Sequence, residues 1–397
     1  MQLSKETKNQ KIRELYEDGK RQMELCNACR YCEGFCAVWR AIEWRREFSD
    51  NDMKYLANLC HDCRDCYYAC PFTTPHEFGI NPPKTFAKIR EETYVKYAWP
   101  SSLAKLMGEK LTGFWIVFIV SILVFVGGAF VKNGISGTFE RYTGEGSFYE
   151  IIPKGVMISV FTILGLWMVV GWLIGAIRYW RDIRSSKTDK VAWKDIITAI
   201  KYAMSLRYLD GGGAGCTYPT EKPAANRRWL HHLVGYGFLL DFASTTLAAF
   251  YDHVLHVPAP YPVFHPVVIL GTVGGIMMII GLIGLLYLKT KTDKEVDDEF
   301  SVKKGSTFSV ALLFVALTGM LVLGFRETVL MGFWLSIHLA SVATLFFTAP
   351  YSKFAHFVYR FLSLVNYAQE ERVERETRVV QKAKQPLVVQ KGIKINN

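Results

Sequence analysis

The sequence predicts a mainly α-helical protein, with a soluble N-terminal module followed by six helices that cross a membrane. Two patterns predict it. Eight of the nine cysteines fall between Cys26 and Cys70, and beyond residue 100 the chain carries six long apolar runs. Half of the 397 residues are hydrophobic and only 21% are charged, which excludes an intrinsically disordered chain. The net charge of +11 does not mark a nucleic-acid binder, because the basic residues crowd the gaps between apolar runs. The opening MQLSKETKNQKIREL lacks the apolar core of a signal peptide, so the thiols are expected in a reducing compartment. Clustered cysteines there hold metal more often than disulfides.

Residues 1–100 read as the soluble module. Ile12, Leu15, Tyr16, Met23 and Leu25 among charges suit an amphipathic helix leading into the first cysteines. Between the two cysteine runs, Val38, Trp39, Ile42 and Trp44 predict one short helix and Met53, Tyr55, Leu56 and Leu59 another. The Ser-Asp-Asn-Asp segment at 49–52 is the capping signal between them. A turn-rich TTPHEFGINPP follows, and Pro100 closes the domain.

The apolar runs cover 113–131, 156–177, 230–250, 266–288, 308–325 and 332–350. Each is about long enough to cross a hydrocarbon core of roughly 30 Å. Only helices satisfy their own backbone groups there. Eleven Lys and Arg lie in 178–228, and Lys289, Lys291, Lys294, Lys303 and Lys304 lie in 289–307. The alternate gaps hold Lys132, Arg141 and Lys154, then none, then Arg326 alone. That asymmetry puts the module, both basic loops and both termini on the cytoplasmic side of a bacterial inner membrane. The expected domains are 1–100, then 101–367 with its cytoplasmic loop 178–228, then a loose cytoplasmic tail at 368–397.

The cysteines carry the most specific signal. Cys26, Cys29, Cys32 and Cys36 form C-x2-C-x2-C-x3-C, and Cys60, Cys63, Cys66 and Cys70 repeat it with Pro71 behind. This is the bacterial ferredoxin run, in which the fourth cysteine of each run ligates the other cluster. Cys26, Cys29, Cys32 and Cys70 are therefore expected to hold one [4Fe–4S] cluster, and Cys36, Cys60, Cys63 and Cys66 the second. Structural zinc favours two separated pairs instead. Cys216 stands apart in DGGGAGCTYP; its glycines suit either a close backbone approach or a plain turn with a spare thiol. No phosphate loop or dinucleotide fingerprint occurs.

Seven of nine histidines lie from 231 onward, and histidine within a span is expensive unless it binds something. His338 and His356 are eighteen residues apart, five turns and about 27 Å if one helix runs through Pro350, which can instead open a new helix. His231 and His253 share nearly one face of the third span. Depth pairs His231 with His356 on the cytoplasmic side and His253 with His338 on the outer side. Facing imidazoles from two helices are axial ligands for haem b, so one or two haems are expected. His232, His256 and His265 are read as interfacial. The fold class is thus a ferredoxin-like 2x[4Fe–4S] domain followed by a six-helix transmembrane cytochrome b-like bundle.

The twin runs, HHLVGYGFLLDFASTT from His231, PAPYP at 258–262, SIHLA and PYSKFAHFVYR resemble the tricarballylate/citrate utilisation protein B family over about residues 10–367. The resemblance implies a membrane iron–sulfur and haem b protein that reoxidises a separate FAD-dependent flavoprotein dehydrogenase of tricarboxylic acids. It implies histidine ligands at His231, His338 and His356. In the outer loop the family pattern has Tyr-His, whereas here Tyr251 is followed by Asp252 and then His253. The eighteen-residue histidine pair is also similar to that of the gamma subunit of respiratory nitrate reductases. The expected path runs from flavin through two clusters and haem b to a membrane quinone, with no nucleic acid involved. Two rival readings are a subunit of a heterodisulfide-reductase- or fumarate-reductase-like complex, and a redox-sensing protein or transporter using intramembrane acids such as Asp241.

Overall fold

The computed structural model describes residues 2–108, 111–184 and 189–384. The first five helices build the module: α1 (Gln2–Cys29), α2 (Ala37–Glu43), α3 (Asp50–Leu59), α4 (Asp65–Tyr68) and α5 (Pro82–Tyr97). Next come α6 (Ser101–Gly108), α7 (Thr112–Thr138), α8 (Ser147–Ile151), α9 (Lys154–Ile183) and α10 (Trp193–Met204). The chain ends with α11 (Asn226–His253), α12 (Pro266–Thr290), α13 (Glu299–Phe325), α14 (Met331–Thr348) and α15 (His356–Lys384). Among the described residues there is no strand, only an isolated bridge between Cys216 and Ala224.

Local chemistry sets the boundaries. The break read at 49–52 is a capping box: Ser49 accepts from the Asp52 amide while Asp52 reaches back to the Ser49 amide. Asn81 caps α5, whose first two residues are proline. Pro350 does end its helix: α14 stops at Thr348, two 3-10 turns follow, and His356 opens α15. His338 and His356 therefore do not share one continuous helix.

Six helices are long and apolar enough to cross a membrane: α7, α9, α11, α12, α13 and α14 with the turn behind it. Their outer faces present Ile116, Leu123, Leu166, Leu173, Leu239 and Ile280, as a lipid-facing bundle requires. α11 and α12 touch backbone to backbone, since a Cβ on Gly237 would sit 2.8 Å from the Gly274 carbonyl. A larger side chain there would force the hairpin apart.

One hydrophobic core joins the module to one end of the spans. Met23, Ile42, Met53, Leu56, Leu59, Phe86 and Ile89 continue into Tyr179 and Ile183 of α9 and Tyr359, Leu364 and Tyr367 of α15. Pro100 is thus a break in the chain, not in the packing. The segment from 370, expected as a loose tail, continues α15 to Lys384. Its charges, which read as solvated, meet partners: Glu370 with Arg45 at 2.6 Å, Arg372 with Asp195 at 2.9 Å and Glu371 with Tyr202 at 2.9 Å. Residues 385–397 of that tail lie outside the described residues.

Candidate functional site

α1 ends in the turn that carries Cys26 and Cys29, and Arg30 stops it with a left-handed φ of 55°. Cys36 caps α2, Cys60 caps α3, and Asp62 and Arg64 adopt left-handed φ around Cys63. These bends bring the two runs across each other. Cys26 has Cys32, Cys70 and Cys29 as its charged neighbours, whereas Cys63 has Cys36, Asp65 and Cys60, and Cys66 has Cys63, Cys60, Cys32 and Cys36. Burial first, and then the neighbouring thiols, push Cys26 and Cys32 up to about 12. Four crowded thiolates are tolerable only around a positive core.

Among the described residues, no three His, Cys, Asp or Glu side chains close on a single metal ion. An iron–sulfur core spans a wider set of thiolates than an ion does, and the structure has room for one. A cavity of about 300 Å³ is lined by Cys26, Cys29, Cys32, Cys66 and Cys70 beneath Trp39 and Phe72. Backbone amides point at sulfur, Asp62 N to Cys60 Sγ and Phe72 N to Cys70 Sγ, both at 3.4 Å. Such bonds support cluster thiolates.

The glycine-rich segment lies over the second quartet. Gly212, at φ 71°, sets its backbone where a Cβ would fall 3.3 Å from the Gly34 carbonyl, just before Cys36. Thr217 donates to Asp65 Oδ1 from its amide at 2.8 Å and its hydroxyl at 2.9 Å, and to the Cys63 carbonyl at 3.3 Å. Close approach is therefore what the glycines do here. Cys216 is fully buried beside Cys63 and directs its thiol at the Ala224 carbonyl.

His231 of α11 and His356 of α15 face each other with ring centroids 6.3 Å apart. Two metal–imidazole bonds of about 2 Å, each extended by roughly 1.2 Å to the ring centre, give a spacing of about 6 Å. His356 Nδ1 donates to the Lys353 carbonyl at 2.6 Å, which fixes the tautomer and frees Nε2. Burial, with Arg360 and His231 beside it, holds His356 down at about 3, so the ring is neutral. These residues fit an axial pair. His338 turns to α13, with Nδ1 3.1 Å from Thr318 Oγ1 and its ring against Gly319. His253 is exposed at the end of α11, 3.4 Å from Asp252, which Lys154 also pairs at 2.8 Å. Among the described residues no ring contact joins His253 to His338. His232 packs between Trp229 and Tyr236, and His265 caps α12 and stacks on Tyr261.

Several residues at this site escaped the sequence reading. Arg227 stands four residues before His231 and donates to the Asp62 carbonyl; Arg360 stands four after His356 and donates to the Cys60 carbonyl at 2.8 Å. That i, i+4 spacing was the available signal. His61, 5% exposed, binds the Leu59 carbonyl through Nδ1 at 2.9 Å and is held neutral by burial and Arg360. Arg64 is buried under the Tyr218 ring and pairs with Asp297 of the α12–α13 loop.

Comparisons with known proteins agree along the chain. The family model described as citrate utilization protein B matches residues 117–377, and that of the citrate utilization protein B Fer4-like domain matches 19–96. Citrate utilization protein B of Escherichia coli is 40% identical over 354 residues, 89% of this chain and 92% of that protein. No solved structure matches.

Proposed function

Because this chain belongs to the citrate utilization protein B family, we propose that it carries electrons from a cytoplasmic FAD-dependent dehydrogenase of citrate- or tricarballylate-type acids to membrane quinone. Two [4Fe–4S] clusters and haem b, when bound, supply one-electron redox chemistry, which suits a two-electron flavin donor. Cys26, Cys29, Cys32 and Cys70 would hold the first cluster and Cys36, Cys60, Cys63 and Cys66 the second. His231 and His356 would hold the inner haem. A second level at His338 and His253 would require His338 to turn from Thr318.

The observation that carries this reading is the attachment of the 60–63 loop to both histidine helices by Arg227 and Arg360. It ties the loop of Cys60 and Cys63 to the two helices that carry His231 and His356. The remaining step needs a quinone, two electrons and two protons from cytoplasmic water to make a quinol. The quinone would be met near the inner haem, beside His231 and His356. In this reading the spans lie in the inner membrane with both termini cytoplasmic.

Membranes holding the protein and its flavoprotein should reduce quinone when given the tricarboxylic acid, and membranes lacking this chain should not. Equal rates in both would reject the reading.

A further inference from the structure

Arg90 of α5 and Arg360 of α15 both reach the loop of the second quartet, and among the described residues neither forms a salt bridge with a carboxylate. Arg90, 4% exposed, donates to the Ala57 carbonyl at 3.0 Å and the Cys60 carbonyl at 3.4 Å, and its charge also meets the Cys60 thiol. Arg360 donates to the Asn58 carbonyl at 3.4 Å and the Cys60 carbonyl at 2.8 Å. The carbonyls come from the last turn of α3 and its cap, where cations are favoured. Capping alone does not call for two guanidinium groups at one buried helix end. An uncompensated buried charge is costly, and something must balance it.

Of the other charges around this loop, Arg227 pairs with Asp62 at 3.7 Å and Arg64 pairs with Asp297. Asp65, beside Cys63, accepts only neutral hydrogen bonds from Thr217, so its carboxylate offsets one of the two guanidinium charges. The remaining positive charge faces the four thiolates at Cys36, Cys60, Cys63 and Cys66. The first quartet differs. Its cavity is lined by Glu33 and Glu43 as well as the exposed Arg30, Cys29 is exposed, and the charged neighbours of Cys26 are only other cysteines.

Resting on the cluster assignment above, we propose that Arg90 and Arg360 are the counter-ions of the second cluster. They hold its reduction potential above that of the first, so that it is the exit toward the membrane. Burial by itself disfavours the more negative, reduced state; the surplus of guanidinium charge over the Asp65 carboxylate opposes that, and the carboxylates beside the first quartet work the other way. The step moves one electron from the first cluster to the second, with no bond or proton changed. Arg90 and Arg360 are positioning residues in this, acting through the field at Cys60.

The test is an EPR-monitored redox titration of the anaerobically purified full-length protein and of Arg90→Gln, Arg90→Lys, Arg360→Gln and Arg360→Lys. The wild type should give two cluster midpoints. Each Gln variant should lower the higher midpoint and leave the lower one in place, while the Lys variants stay near wild type. If Arg90→Gln does not retain the second cluster, Arg360→Gln carries the same measurement. Unchanged midpoints, a shift of the lower midpoint, equal shifts in Lys and Gln variants, or loss of the second cluster in all four would overturn the inference. A wild-type protein without cluster signals would instead reject the proposed function itself.

Discussion

The guanidinium of Arg360 donates to the carbonyl of Cys60 at 2.8 Å. One residue stands a helical turn from His356, the other opens the second cysteine run, and they are 300 positions apart in the chain. Arg227 repeats the arrangement from α11 to Asp62. Electron transfer between redox groups depends on holding them close and still, and these two bonds tie the N-terminal module to the very turns that carry His231 and His356.

The crossed quartets predict how each cysteine fails. Anaerobically purified protein should contain about eight irons per chain, and Cys36→Ser should lose the cluster shared with Cys60, Cys63 and Cys66 while sparing the other. Cys70→Ser should do the reverse. Iron analysis with EPR decides it. Stoichiometric zinc in place of iron would sink the assignment, and so would a Cys36 variant that damages the cluster of Cys26, Cys29 and Cys32.

The six spans, the capping at Ser49 and the cysteine runs were legible because each is written in local spacing. Periodicity and turn chemistry need no knowledge of distant partners. Arg90, Arg360 and the Thr217–Asp65 contact were not legible, since each depends on which segments the fold brings together. The tail shows the same limit from the other side: EERVERETRVV from Glu370 reads as solvated charge until Glu370 and Arg372 are seen to meet Arg45 and Asp195. The glycines near Cys216 lay between. Their spacing allowed either a close approach or a plain turn, and did not tell that Gly34 was what they approached.

Topology follows from the distribution of Lys and Arg. A reporter fused within 289–307 should read cytoplasmic, and one within 132–150 should read external. The docking seen here requires that loop to lie on the same side as the module, because Asn81 and Lys84 of the module donate to the Glu295 carbonyl at 3.1 and 3.2 Å. A reporter that places 132–150 in the cytoplasm would overturn the orientation and the depth of every histidine.

Acid should loosen the module from the bundle. Glu91 of α5 is 7% exposed and pairs with Lys304 and Lys353, each at 2.9 Å. Burial by itself would raise this carboxyl, but the two ammonium groups hold it down at about 2. The unfolded or detached chain takes up its proton near the ordinary value of about 4.3, the docked one only near the lower value. The stabilisation is therefore complete above about pH 4.3 and is lost as the pH falls toward about 2, on the order of 3 kcal/mol in all. Glu91→Gln should show the loosening already at neutral pH and lack this step on acidification. Limited proteolysis across the α5–α6 junction measures it; identical acid profiles for both proteins would refute the role of Glu91.

The inner haem pair yields the functional prediction. If electrons must pass from the second quartet to His231 and His356 before meeting quinone, breaking that pair should separate the two ends of the path. His356→Ala removes one axial nitrogen and the bond to the Lys353 carbonyl, but leaves the cysteines and the core beneath them intact. The clusters should still be reduced by the flavoprotein, while the dithionite-minus-oxidised haem spectrum loses the inner signal and quinone reduction falls to background. His338→Ala offers the control. With its ring turned to Thr318 and Gly319, it should keep quinone turnover if quinone is met near the inner haem, and lose it only if quinone is met at an outer level. Full quinone reduction by a His356→Ala protein without the haem signal would remove haem from the obligatory path. The clusters would then have to reach quinone directly, and the 6.3 Å facing of His231 and His356 would be a packing contact at the membrane surface.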